Sequence, residues 1–292
     1  EIRFCDWSSD VCSSDLNYEG TITAYAYDNV GQLIGTTRAQ STSDARTTET
    51  RYDFLGRITQ ELTAEGRAQL TGSLSQAQID DIWDRYGIRY AYDLAGRKIS
   101  ATQRPDDTQT NTTLYYYDND GRVRFEVNAA GERTEYRYNA LNQRTDAIRY
   151  YNRVTTTGLT GGLLTTGLNT TLTASADATR DARTSSTYTL TGRVEQTRVS
   201  TDTNAANDIA TTLSYNAFGE VRQRVEQIDE IDGTYTLQHD YIYDRRGQMI
   251  STVWDPADLD TSEVRQYDAF GRLSQLTDAR GNTPVLDRKS VV

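Results

Sequence analysis

Apolar and polar positions alternate with a period of two over short stretches of this chain. Tyr25-Ala26-Tyr27, Tyr90-Ala91-Tyr92, Tyr115-Tyr116-Tyr117, Tyr136-Arg137-Tyr138 and Tyr241-Ile242-Tyr243 are the clearest cases. Side chains two apart share one face of a strand, so each stretch predicts a strand with a tyrosine face. Apolar residues recur at the same period after the following turn, as in Val123, Phe125 and Val127. The pattern predicts an all-β chain built of two-stranded units. Ser75 to Tyr86 departs from it, with Ile79, Ile82, Trp83 and Tyr86 at helical spacing and Ser75 with Gln78 as a capping box. One short amphipathic helix is expected there. Asn152 to Ser186 is rich in Thr, Gly and Leu and holds two glycine clusters. It is expected to be a long mobile loop with one helical turn near Ala174 to Asp181.

The stretches are punctuated by one recurring motif: Tyr, then Asp or Asn, two variable residues, Gly, then Arg or Gln. Copies occur at Tyr27-Asp28 with Gly31, Tyr52-Asp53 with Gly56, Tyr92-Asp93 with Gly96 and Tyr117-Asp118 with Gly121. Tyr138-Asn139 with Asn142, Tyr188 with Gly192, and Tyr215-Asn216 with Gly219 follow. Tyr243-Asp244 with Gly247 and Tyr267-Asp268 with Gly271 complete the nine. Successive tyrosines are 25, 40, 25, 21, 50, 27, 28 and 24 residues apart. The unit is therefore about 25 residues, with inserts at about 64–88 and 152–186.

The motif has a physical reading. Asp or Asn favours the first position of a type I turn and Gly the fourth. A type I turn followed by a left-handed residue closes a three-residue hairpin loop with a bulge, and glycine adopts that conformation without a clash. Asn142 is the next most tolerant substitute. Thr189 lacks the carboxylate or amide, so its turn is expected to be less well fixed. Each unit reads as a hairpin followed by a looser return, such as Asn128-Ala129-Ala130-Gly131. A unit this short cannot bury its own face, so stability must come from neighbouring units.

Composition refines this picture. Leu, Ile, Val and Phe total 54 of 292 residues, a proportion that with net negative charge warns of disorder. Twenty tyrosines and only three prolines point the other way, to an ordered chain with an aromatic, partly wet interior. The formal charge of −11 disfavours nucleic acid as a partner. No apolar run approaches the roughly 18 residues of a membrane helix.

The two ends read differently from the rest. Residues 1–16 (EIRFCDWSSDVCSSDL) and 287–292 (DRKSVV) resemble sequencing-library adapters translated in frame. They are expected to be artefact and are set aside from fold reasoning. Cys5 and Cys12 then fall outside the genuine segment, which has no cysteine pairing to consider. Residues 17–286 carry a formal charge of −9, with Lys98 as their only lysine.

The nine copies of Y-D-x-x-G-R resemble the YD-repeat (Rhs-repeat) superfamily, which includes Rhs proteins, the shell of insecticidal Tc toxins and the teneurins. The resemblance spans nearly all of residues 17–286. It implies a long β-sheet that winds in a spiral into a hollow shell. It further implies a secreted or cell-surface bacterial protein, whose shell commonly encloses a C-terminal toxin domain. On this resemblance the chain is expected to be an internal fragment that stops within the repeats, before the motif that usually ends the shell.

A search for chemistry returns little. His239 is the only histidine and sits in a strand-like stretch, so a structural or solvated role is expected. No glycine-rich phosphate loop occurs, and no thiol or zinc site can be assembled. Asp229, Glu230 and Asp232, and likewise Asp118 and Asp120, cluster near glycines, and turn and surface chemistry explains them better than calcium. Trp83, Trp254 and the tyrosines offer stacking surfaces for sugars, though such residues more often pack a sheet. Arg57, Arg97, Arg122, Arg193 and Arg272 follow the turn and are expected to pair with acidic residues of the neighbouring unit.

The expected function is a non-catalytic segment of a shell wall whose partners are neighbouring repeats and an enclosed toxin domain. No metal, cofactor or catalytic residue is assigned. The alternative is a cell-surface adhesin or wall-associated scaffold that binds glycans. An enzyme ranks last, because no nucleophile, base and orienting group come together. The turn reading has a direct test. Gly121→Val is expected to lower stability by roughly 1 kcal/mol or more in a denaturant titration. An unchanged midpoint would contradict a left-handed residue at that position.

Overall fold

The computed structural model describes residues 11–16, 21–106, 108–200, 208–230, 233–255 and 261–283. The sequence expectations for residues 1–10 and 287–292 lie outside the described residues. The elements begin with β1 (Val11–Leu16), β2 (Ile22–Tyr27), β3 (Leu33–Arg38), β4 (Arg46–Tyr52) and β5 (Ile58–Leu62). Then come α1 (Ala64–Gln69), α2 (Gln76–Tyr86), β6 (Gly87–Tyr92), β7 (Lys98–Gln103), β8 (Asn111–Tyr117) and β9 (Val123–Val127). Next are β10 (Arg133–Tyr138), β11 (Arg144–Arg149), β12 (Gly162–Leu163), α3 (Thr166–Thr173), β13 (Ala182–Tyr188) and β14 (Val194–Ser200). The chain continues through β15 (Ile209–Tyr215), β16 (Val221–Glu230), β17 (Gly233–Tyr243), β18 (Met249–Trp254), β19 (Thr261–Tyr267) and β20 (Leu273–Thr277).

These elements fall into two compact units, residues 1–133 with 153–175, and residues 134–152 with 176–292. In the first, β1 to β9 each pair antiparallel with the next strand. The expected artefact segment thus contributes β1, which lies along β2. In the second unit β10 pairs with β11, β11 with β13, and β13 to β20 follow in sequence, all antiparallel. The fold class is all-β, as the alternation predicts. Except where β11 pairs with β13 and β12 with β8, the described strands pair with sequence neighbours, so most contacts are local.

The motif tyrosines and the apolar residues between them fall on opposite faces. In the first unit the face away from the motif tyrosines is the one that packs. Leu62, Leu114, Tyr116, Phe125 and Val127 are buried there. Each large side chain so buried contributes roughly 1.5–3 kcal/mol. The helices supply the cover. Ser75 caps α2 and forms the capping box with Gln78 that the sequence predicts. Trp83 of α2 is buried, with the Arg51 guanidinium 3.9 Å from its ring centre. Asp80, Asp81 and Asp84 of α2 meet Arg51, Arg104 and Arg89 of the sheet.

Two expectations about the inserts are corrected. There are three helices among the described residues, not one. Helix α1 escaped notice because six residues carry no readable period; Thr63 caps it, and Gly66 lies so close to Leu62 and Tyr86 that a Cβ would be 2.4 Å from the Tyr86 Cβ. The stretch 152–186 is not a long structureless loop. It holds β12 in parallel pairing with β8, then α3, then the start of β13. Helix α3 is capped by Thr165 and buries Leu172; the helical turn expected near Ala174 to Asp181 is present just after it, with the Asp181 N–H donating to the Asp177 carbonyl at 2.8 Å. Gly161 serves close packing: a Cβ there would lie 2.2 Å from the Ile99 carbonyl oxygen.

Candidate functional site

The recurring feature of this structure is the motif turn and the bond it makes to its neighbour. In each turn the first residue's backbone N–H donates to the carbonyl of the fifth, and the glycine N–H donates back to the first carbonyl. At Asp53 these distances are 2.9 and 2.9 Å; at Asp118 they are 2.9 and 3.0 Å. The motif glycines have φ between +77° and +89°, and Asn142 has φ +64°. That is the left-handed region in which an ordinary side chain is strained.

The Asp or Asn side chain locks the loop from inside. Asp93 Oδ1 accepts from the N–H groups of Ala95 and Arg97, both at 2.9 Å. Asp28, Asp53, Asp118, Asn139, Asn216, Asp244 and Asp268 do the same with their own third and fifth turn residues. Backbone donation from Arg57 is the largest cause holding the Asp53 carboxyl below its ordinary range, against desolvation. Thr189 makes only one such bond, to Arg193 N–H at 3.2 Å, in keeping with a less fixed turn.

In six of the nine copies the side chains at positions two and six of the motif pair a donor with an acceptor. Where position two is Asp, Arg57, Arg97, Arg122 and Arg272 each place Nε 2.7–2.8 Å from its second oxygen. Where it is Asn, the amide instead donates to Gln143 at 2.7 Å or Glu220 at 2.6 Å. The expectation that these arginines pair with the neighbouring unit's acids is therefore corrected. A fork of donors four residues away reaches its own turn first. The guanidinium then lies over the next motif's ring. Arg57 is 4.7 Å from the Tyr92 ring centre, Arg97 5.2 Å from Tyr117 and Arg193 5.5 Å from Tyr215.

The tyrosine is the link between repeats. Tyr52 donates its hydroxyl to the Leu33 carbonyl at 2.8 Å, Tyr92 to Ile58 at 2.7 Å and Tyr117 to Lys98 at 2.6 Å. In the second unit Tyr188 donates to Arg144 (2.6 Å), Tyr215 to Val194 (2.6 Å), Tyr243 to Val221 (3.0 Å) and Tyr267 to Met249 (2.9 Å). Every acceptor is the residue paired across the strand from the preceding motif's tyrosine. At each of these pairs the register shifts by one residue. A bulge interrupts the regular ladder, and the next tyrosine bonds to the carbonyl at the interruption. Burial first, then the Asp93 charge, pushes the Tyr117 hydroxyl above its ordinary pKa, so it remains a donor at neutral pH. Tyr27 and Tyr138 end β2 and β10, opposite Leu33 and Arg144.

Two turns of the same build were not in the nine. Asn128 to Glu132, expected as a looser return, has the same backbone bonds and a Gly131 φ of +78°. Asp278 to Asn282 repeats it with Gly281 at +81°. Val127 and Thr277 stand where the motif has tyrosine. The signal that finds them is Asp or Asn three residues before Gly.

The remaining candidates have structural surroundings. His239 lies in β17, edge-on to Tyr241 and Trp254 with ring centres 6.4 Å away in each case. Asp118 and Asp120 both bind Arg122. Asp232 and the side chains of Asp229 and Glu230 lie outside the described residues. Among the described residues no three His, Cys, Asp or Glu converge on a common metal position, and no helix is long and apolar enough to cross a membrane.

Residues 243–283 match the protein family described as RHS Repeat. Comparison with curated proteins finds no match. A solved Photorhabdus luminescens Tc holotoxin pore (TccC3-D651A mutant) aligns at 18% identity over 91% of this chain and 13% of that one, with a TM-score of 0.48. A TcdB2-TccC3 structure without its hypervariable C-terminal region aligns at 14% identity over 92% of this chain and 17% of that one, with a TM-score of 0.42. The chain thus spans less than a fifth of either.

The latch has a graded test. Tyr117 is buried, and Tyr117→Phe leaves the Lys98 carbonyl without its donor, which is expected to cost roughly 1–2 kcal/mol in denaturant titration. The bond from Tyr188 is exposed, so water replaces it and Tyr188→Phe is expected to cost under about 0.5 kcal/mol. Equal losses at both sites would contradict the account.

Proposed function

We propose that this chain, an RHS-repeat protein by its match over residues 243–283 and its nine motif copies, is a non-catalytic segment of a shell wall. The wall belongs to a secreted or surface-exposed bacterial protein and encloses a C-terminal toxin domain of the same parent. The observation that carries this reading is the latch from each repeat to the preceding one. Its geometry uses the tyrosine, the turn and the bulge for repeat-to-repeat cohesion. A segment whose recurrent side chains are committed to its own neighbours is suited to forming a continuous wall. The partners are then the adjoining repeats and the enclosed domain. On this reading residues 17–286 are the native repeat region, and the adapter-like ends play no part in the wall.

The adhesin alternative draws on the aromatic residues. Burial of Trp83 beneath Arg51 weighs against that side chain as a sugar platform. Long-read sequencing of the parent locus, followed by limited proteolysis of the expressed product, tests the two readings. The shell reading expects a variable domain after the repeats that resists protease while the repeats are intact. A continuation into an anchor or further binding modules, with no protected domain, would contradict it.

A further inference from the structure

The turn bonds involve the first, fourth and fifth residues and the backbone of the third. The backbone bonds of the turn do not need the side chains of the second and third residues, and a type I turn accepts most residues there. Asn119-Asp120 and Arg245-Arg246 are the polar fillings expected at an exposed tip. Yet the first unit places Val30, Phe54, Leu55 and Leu94 at these positions, and the second places Leu141, Leu190, Phe218 and Phe270. All eight are strongly exposed, from 63% at Leu55 to 110% at Leu94. They are half of the sixteen large hydrophobic residues found exposed among the described residues. Nothing in the turn requires them.

Within each unit the motif turns close successive hairpins and so lie along one edge of the sheet. Neighbouring tips are two strands apart, about 10 Å. The first unit therefore presents apolar tips at three successive turns, and in the second Arg245-Arg246 interrupts the row between Phe218 and Phe270. The bases of the row are neutralised locally where Asp and Arg pair, as at Asp53–Arg57 and Asp93–Arg97.

We propose that the turn-tip row is an association surface that takes the same row of a second copy of this chain. Matching periods let one copy's tips seat between the other's. The four apolar side chains of one row expose roughly 500 Å², so two rows cover about 1,000 Å² between them, the lower bound of a specific interface. An exposed apolar area of roughly 500 Å² lies toward the upper end of the largest patch a monomer ordinarily shows, where such patches are often functional. The formal charge of −11 opposes docking on an anionic membrane, whereas the locally neutral turns let two rows approach. The proposal stands apart from the shell reading, since it concerns the edge of the sheet and not what the wall encloses.

Sedimentation velocity of the 292-residue chain over a concentration series tests it, beside the pairs Phe54→Asp with Leu94→Asp and Phe218→Asp with Phe270→Asp. These side chains are exposed, so the variants keep the denaturation midpoint and circular dichroism of the parent. The expected result is a monomer–dimer equilibrium, strengthened by added salt as self-repulsion is screened, and weakened at least tenfold by one or both pairs. A chain that stays monomeric throughout overturns the proposal. So does association that both pairs leave unchanged, which would then run through open strand edges. Flotation with phosphatidylcholine vesicles of a chain that is monomeric in solution, abolished by the same substitutions, overturns it in favour of a lipid surface.

Discussion

The motif tyrosine hydroxyl, donated in seven of the nine repeats to a backbone carbonyl of the repeat before it, is the constraint on which the rest of this structure depends. A hairpin of two short strands is marginal in water by itself. Turn chemistry can fix its loop, but not its place beside the next hairpin. The tyrosine does the second job from the same motif that does the first. Its ring also accepts the cationic face of the preceding repeat's arginine, as Arg57 does over Tyr92. That arginine is already held by its own turn, through Asp53. Turn, bulge and latch therefore form one connected set of bonds, repeated along each unit.

This set explains why the motif tolerates some changes and not others. Asp with Arg and Asn with Gln or Glu are equivalent solutions, because each pairs a donor with an acceptor across the turn. The sixth position also reaches the next turn. Gln143 and Gln248 donate to the carbonyls of Gly192 and Gly271, at 3.2 and 2.9 Å. Arg193 comes so near Gly219 that a Cβ there would lie 1.8 Å from its guanidinium. Glycine at the fourth position always meets the demand for a left-handed backbone, and at Gly219 and Gly247 it also leaves room for a side chain of the preceding repeat.

Much of this was legible in the sequence. Alternation and the repeated turn indicate the strands and the order of the hairpins, because the strands of a hairpin pair with a close neighbour in the chain; the parallel pairing of β12 with β8 carries no such signal. The capping box at Ser75 marked α2 correctly. What stayed hidden has physical causes. Helix α1 is too short for a period to appear. The glycines at 161 and 162 read as flexibility, although Gly161 is packed against the Ile99 carbonyl. The turn at Asn128 was passed over because Val127 replaces the tyrosine that made other copies conspicuous. The latch could not be read at all, since its acceptor is a backbone carbonyl and carries no side-chain signature.

Hydrogen–deuterium exchange of the Tyr92→Phe variant tests the central claim most directly. The lost hydroxyl belongs to the β6–β7 hairpin, while its acceptor, Ile58, belongs to β4–β5. The account predicts that amides of β4–β5 exchange faster, on the order of fivefold for a bond of about 1 kcal/mol. Faster exchange confined to β6–β7, or none in either hairpin, would contradict a tyrosine that holds one repeat to the next.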